Sequence, residues 1–318
     1  MVYPRLLCPN LKDYCITCQA LTGYLAHAFG SKNLLQSGLI SLTDVVYSMS
    51  LTCLTQPHAN LQAQLTDGVL ELVLNRPERK NALFSDFYLA VEQALLEADQ
   101  VANVRVVILR GVDGDFTAGN DLQDFAKSAA DTSSTVASED GPPFKLLRAA
   151  ANLSKPLIIA VRGVAVGIGT TLLLHADLVY CDATARFQMP FVSLGLSPEG
   201  ASSLLLQQRA GYLKAAELLL LAEPFNAQTA LEAKLVNAVI EGDVYAYARQ
   251  KAERLLNLPE ASLRLTKQLL KQAQPQQAVI DCINHESQVF MQRVKSPEVL
   301  EALMAFKEKR APNFRQFD

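Results

Sequence analysis

Leu61-Gln62-Ala63-Gln64-Leu65-Thr66-Asp67-Gly68-Val69-Leu70-Glu71-Leu72-Val73-Leu74 sets the architecture of this 318-residue chain. Leu61–Leu65 alternates apolar and polar residues, Asp67-Gly68 is a turn pair, and Val69–Leu74 alternates again. The pattern predicts a β-hairpin. A helix over Asp86–Gln100 follows, with Ser85 as its cap and Phe87, Leu89, Val91, Ala94, Leu95 and Ala98 as its apolar positions. Strand, strand, helix is thus the first unit.

Working outward, Val104–Leu109 and Pro156–Val161 read as buried strands, with a helix over Phe144–Leu153 between them. A short apolar helix runs from Gly169 to His175, and Leu178–Cys181 and Ala185–Gln188 are short strands. After Pro198 the pattern is helical, over 199–210, 213–222, 227–234, 244–256, 261–272, 276–293 and 297–309, with one strand at Val236–Ile240. Strand-rich units first and helices last argue for an α/β core followed by a helical region. Residues 128–143, rich in Ser, Ala, Asp and Pro, read as a mobile loop.

The first 48 residues differ from the rest, with only Arg5, Lys12 and Lys32 as basic and Asp13 and Asp44 as acidic residues. We read 1–59 as an atypical extension, with Met49 as a candidate natural start, followed by a core over 60–258 and a C-terminal helical region over 259–318. The six cysteines include a Cys15-x-x-Cys18 pair, but no second pair or histidine couplet completes a zinc set. A net charge of −3 gives no electrostatic case for nucleic acid. No apolar run reaches membrane-spanning length and no secretory signal is evident. The expected setting is the cytoplasm.

Three places carry chemistry. Ala118-Gly119-Asn120-Asp121 and Val166-Gly167-Ile168-Gly169 are glycine turns, each read as following a strand and opening a helix, where free N–H groups can hold a developing oxyanion. Ser197-Pro198-Glu199-Gly200 reads as a helix opening with Ser at the cap, Pro at the first and Glu at the second position. One carboxylate beside paired N–H donors is the equipment for moving a proton next to a carbonyl. Asp121 reads as a turn-fixing hydrogen-bond acceptor, and His175 as a structural histidine.

Asn75-Arg76-Pro77-Glu78-Arg79-Lys80-Asn81-Ala82-Leu83, Phe116-Thr117-Ala118-Gly119-Asn120-Asp121-Leu122 and Lys155-Pro156-Leu157-Ile158-Ile159-Ala160-Val161-Arg162-Gly163 resemble the crotonase (enoyl-CoA hydratase/isomerase) superfamily. Phe306-Lys307-Glu308-Lys309-Arg310-Ala311-Pro312-Asn313-Phe314 is similar to its terminal helix. The resemblance covers about Leu61 to Phe314 and implies a spiral of ββα units with C-terminal helices used in trimer assembly. It implies an acyl-CoA thioester as substrate, no cofactor beyond the coenzyme A of that substrate, no metal, and a homotrimer or dimer of trimers.

The same resemblance places the oxyanion donors at the backbone N–H of Asn120 and Ile168. The two glutamates of hydratases fall on Thr171 and Phe191, neither of which can act as a base. Glu199 matches the single glutamate of Δ3-Δ2-enoyl-CoA isomerases, and the motifs are most similar to the peroxisomal type. The implied reaction shifts a double bond from 3-enoyl- to 2-enoyl-CoA, as in β-oxidation of unsaturated fatty acids. The alternatives are other crotonase chemistry or a non-catalytic acyl-CoA-binding module. Substrate contacts implied by the resemblance are Lys80, Ala82, Leu83, Ala118, Gly119, Asp121, Leu122, Phe125, Gly167, Phe191 and Lys309, the lysines facing CoA phosphates.

Overall fold

The computed structural model describes residues 58–112, 114–125, 140–272 and 276–318. The expectations for residues 1–57, including the Cys15/Cys18 pair and the Met49 start, and for most of the 128–143 loop, lie outside the described residues.

The opening hairpin forms as its alternation demands. β1 (Leu61–Thr66) and β2 (Val69–Leu74) pair antiparallel with Leu61 opposite Leu74 and Thr66 opposite Val69. β3 (Val106–Gly111), β4 (Leu157–Val161), β6 (Leu178–Asp182) and β9 (Ala238–Ile240) then add in parallel, giving a six-stranded sheet of order β1-β2-β3-β4-β6-β9. β5 (Val164–Val166), β7 (Arg186–Gln188) and β8 (Phe225–Asn226) make a second, three-stranded sheet.

β4 shows why a central parallel strand is apolar throughout. Leu157, Ile159 and Val161 enter the main core, while Ile158 and Ala160 enter a smaller core on the other face. The main core is closed by α1 (Ser85–Gln100) and α2 (Pro142–Asn152), and the smaller one by Val244, Ala248 and Ala252 of α7 (Val244–Leu256). These three residues recur every fourth position, one face of a helix. α7 is capped by Asp243, whose carboxylate accepts from the N–H of Tyr245 and Ala246.

Among the described residues the remaining helices are α3 (Ile168–Thr171), α4 (Ser202–Ala210), α5 (Tyr212–Leu220), α6 (Ala227–Glu232), α8 (Glu260–Gln272), α9 (Gln276–Val294) and α10 (Pro297–Glu308). A 3₁₀ turn over Leu172–His175 extends α3 to the expected end.

Three expectations are corrected. Ser85 does not cap α1: it is the first helical residue, and its N–H and Oγ both donate to Asp124, at 3.0 and 2.9 Å. Phe87, Val91, Ala94, Leu95 and Ala98 of α1 are buried as expected, but Leu89 is 38% exposed, and Tyr88 and Ala90 complete the buried face instead. Glu199 is not inside a helix. Gly200 and Ala201 both adopt positive φ, at 73° and 55°, which a right-handed helix cannot accommodate, so α4 begins only at Ser202.

Candidate active site

The first glycine turn lies after the isolated bridge of Thr117 with Ala165, not after a regular strand, because β3 ends at Gly111. Its backbone is almost fully paired. Ala118 N–H donates to Lys80 O, Gly119 N–H to Thr117 Oγ1, and Asp121 N–H to Leu83 O. Among the described residues Asn120 N–H, between them, donates to no protein acceptor. A polar group that the fold could have paired and did not is available to a ligand.

The second turn behaves alike. Gly167 N–H donates to Gln188 O, and Thr170 and Thr171 return their N–H groups to Gly167 O. Ile168 is the first residue of α3, where an N–H has no intrahelical acceptor. The two turns touch. A Cβ on Gly119 would lie 2.5 Å from Val166 O and 3.8 Å from Gly167 N, and Gly119 has φ +81°. Only glycine allows both that conformation and that approach.

Glu199 sits across from these turns at 4% exposure. Its Oε1 accepts from Thr171 Oγ1 at 2.5 Å, while Oε2 is buried without a hydrogen-bond partner. Burial pushes the carboxyl up to about 8, the Thr171 bond opposes the shift, and the charge of Glu286 adds to it. A carboxylic acid poised near neutrality can both take and return a proton.

A cavity of about 560 Å³ joins these parts. Its wall includes the expected Ala82, Ala118, Gly119, Asn120, Asp121, Leu122, Phe125, Gly167, Ile168, Phe191 and Glu199. Leu83, Lys80 and Lys309 are not on it. Leu83 is in the core, with its backbone flanking Asn120 through bonds to Gly119 and Asp121. Lys80 and Lys309 are exposed and left-handed, at the ends of a 3₁₀ turn and of α10 respectively.

The other carboxylates on the wall are committed elsewhere. Asp121 pairs with Arg76 at 2.8 Å and accepts from the N–H of Gln123 and Asp124, the turn-fixing role expected of it. Its carboxyl is held below the usual range, the Arg76 and backbone bonds outweighing burial. Asp124 accepts twice from Ser85. His175 is structural as expected: its Nε2 donates to Gly200 O at 2.9 Å, and burial lowers its pKa to about 3, so it stays neutral.

Two wall features were missed in the sequence. Tyr88 lines the cavity and its hydroxyl donates to Asn120 Oδ1. Burial first, then the charges of Glu199 and Asp124, hold that phenol well above its ordinary pKa, so it remains a donor. Phe290, Met291 and Val294 of α9 supply an apolar side, and Phe191 meets Phe290 edge-on at 6.4 Å. Among the described residues no group of three or more His, Cys, Asp or Glu side chains could hold a metal, and no helix is long and apolar enough to cross a membrane.

An apolar cavity with two unpaired backbone donors and one ionisable acid defines a class of enzymes that stabilise an enolate of a bound carbonyl compound. The comparisons agree with that class. The family profile described as enoyl-CoA hydratase/isomerase matches residues 64–317. The 1,2-epoxyphenylacetyl-CoA isomerase of Escherichia coli is 33% identical over 253 residues, 78% of this chain and 95% of that protein. Enoyl-CoA delta isomerase 2 of Rattus norvegicus is 30% identical over 241 residues, covering 75% of this chain and 61% of the rat protein. A solved Acinetobacter baumannii structure, described as an enoyl-CoA hydratase/isomerase, is 57% identical with a TM-score of 0.72, covering 76% of this chain and 99% of that one.

The chain belongs to the enoyl-CoA hydratase/isomerase family, the crotonase superfamily, and has its α/β fold. It is a CoA-thioester enzyme of that family. Its relatives are named for different reactions, so the choice among them falls to the residues of the cavity.

Proposed function

We propose that the protein is a Δ3-Δ2-enoyl-CoA isomerase that uses Glu199 as its only proton-transfer group. The carrying observation is the buried, unpartnered Oε2 of Glu199 on a wall whose other carboxylates are already bonded. In the reaction the thioester oxygen of a 3-enoyl-CoA accepts from Asn120 N–H and Ile168 N–H. Glu199 removes a proton from C2, and the electron pair delocalises onto that oxygen as a dienolate. The protonated Glu199 then gives its proton to C4, leaving the double bond between C2 and C3. Proton and charge balance without a cofactor, coenzyme A being part of the substrate.

Water addition is disfavoured by the same wall. Activating and placing a water takes two acid/base groups in the hydratases this chain resembles, and here their places hold the Thr171 hydroxyl, which donates to Glu199, and the Phe191 ring. The wall is apolar on that side, which suits an acyl chain. The reading extends to a cytoplasmic enzyme of unsaturated fatty-acid β-oxidation. It also extends to a homotrimer or dimer of trimers, for which the exposed Leu213 and Leu220 of α5 and Leu265, Leu269 and Leu270 of α8 offer apolar surface.

The test is incubation of the purified protein with 3-hexenoyl-CoA while conjugated-enoyl absorbance is followed. Absorbance should rise with the wild type and stay flat with Glu199→Gln. Flat traces for the wild type across chain lengths would overturn the isomerase reading and favour the binding module.

A further inference from the structure

α9 does more than line the cavity. Two of its charged side chains grip the segment Phe191–Ser203 that carries Glu199. Arg293 Nε donates to Gly195 O at 2.9 Å. Two turns earlier on the same helix, Glu286 Oε1 accepts from Ser203 N–H at 3.0 Å and from Ser203 Oγ at 2.5 Å. Glu286 is buried, and its Oε2 has no hydrogen-bond partner.

The place where Glu286 attaches is unusual. Gly200 and Ala201 are both left-handed, and Ala201 has no glycine's freedom to be so, yet it is fully buried. Such a conformation persists only where its surroundings over-determine it. The reversal from left-handed to helical backbone turns the N–H groups of Ala201 and Ser203 toward one side, a concavity that suits an anion. Both favour the ionised form of the Glu286 carboxyl, against a burial that raises its pKa. The mechanism above makes no use of this second buried carboxylate.

We propose that Glu286 is a positioning residue for Glu199: its carboxylate, lodged against the left-handed turn at Gly200-Ala201, holds the base aimed into the thioester cavity. The proposal rests on the isomerase reading only for the word base. The turn is braced on three sides, by Glu286 at Ser203, by His175 at Gly200 O, and by Thr171 at Glu199 itself. Of the three, only Glu286 has a carboxyl that can bear a negative charge. It therefore also acts on Glu199 through space, disfavouring a second anion. The titratable groups around the pair are Tyr88 of α1 on the Glu199 side, and Cys282 of α9, whose Sγ lies 3.6 Å from Glu286 Oε1. Burial and Glu286 push the Cys282 thiol up to about 11, and His175 is neutral, so neither competes with Glu286 at neutral pH.

Two variants test it. Glu286→Gln keeps the volume and one acceptor oxygen but removes the charge, and Glu286→Ala removes the brace. In protein with ¹³C-labelled glutamate, with Glu199 assigned from Glu199→Gln, the titration of Glu199 is followed by NMR without substrate. In Glu286→Gln the Glu199 midpoint should move down. With 3-hexenoyl-CoA, Glu286→Ala should lose about 10–100-fold in kcat at little change in KM, the mark of a misplaced base. Glu286→Gln should retain most of the kcat and shift its pH profile in the same direction as the NMR midpoint. An unchanged midpoint in Glu286→Gln would overturn the proposal, as would a kcat loss in both variants that follows only their melting temperatures. The NMR arm decides even if the wild type does not isomerise 3-enoyl-CoA, an outcome that counts against the isomerase reading alone.

Discussion

The carboxylates at the rim of the cavity and the one on its floor belong to different kinds of site. At the rim, Asp121 is bonded to Arg76 and to two backbone N–H groups, and Asp124 is bonded twice to Ser85. On the floor, Glu199 has one hydroxyl partner on Oε1 and none on Oε2. The rim carboxyl of Asp121 is held down by its partners, while Glu199 is pushed up to about 8 by burial. A satisfied carboxylate fixes backbone; a buried one with a spare lone pair is stored reactivity. The same side-chain chemistry thus serves structure or reaction according to how many donors the fold supplies.

The largest expected break of this contrast is Glu199→Gln. It keeps shape and the Thr171 contact but cannot take a proton, and kcat for double-bond shift should fall by about 10³-fold or more, read by conjugated-enoyl absorbance. Acyl-CoA binding, by calorimetry with a saturated analogue, should persist. Gly119→Ala comes next. Its Cβ would meet Val166 O and move the Asn120 N–H from its place, so kcat should fall about 10²–10³-fold.

The pH dependence follows from the direction of each shift. Only ionised Glu199 can abstract a proton, so kcat/KM should rise with pH through about 8. Thr171→Val removes the one bond that lowers the Glu199 pKa, and should carry that limb to higher pH; a limb that stays in place would remove Thr171 from the account. Stability runs the opposite way. The folded pKa of Glu199 lies above its unfolded value, so the folded state holds a proton the unfolded chain has lost. Its contribution is complete below about pH 4.5 and is lost as pH rises through about 8. Glu199→Gln should therefore gain stability over the wild type above pH 8, measured by urea melts across pH. At the rim, Asp121→Ala should destabilise by about 1–3 kcal/mol by stranding Arg76, with the smallest effect on kcat of the variants here.

Legibility in the sequence followed the range of the interaction. The β1–β2 hairpin, the fully apolar β4 and the helix α7 are written in the local pattern of apolar residues, and they formed where the pattern put them. The two glycine turns were legible because glycine marks a backbone constraint directly. Ser197-Pro198-Glu199 was misread as a helix opening: local composition favoured it, but the left-handed pair at Gly200-Ala201 is stabilised from elsewhere in the chain. That support comes through Ser203 from Glu286, 83 residues further along the chain than Ser203, which no local pattern announces. Tyr88 was within reach, since it shares the buried face of α1 with Val91 and Leu95. Thr171 was seen only as a place without a glutamate; its hydroxyl turned out to be the partner of Glu199.

The most direct test of the single-base account is the fate of the label from 3-hexenoyl-CoA carrying deuterium at C2, turned over in ordinary water. The account predicts 2-hexenoyl-CoA with a substantial fraction of molecules bearing deuterium at C4, carried there by Glu199, and no 3-hydroxyhexanoyl-CoA. Product with no deuterium at C4, or accumulation of the hydroxyacyl thioester, would contradict it.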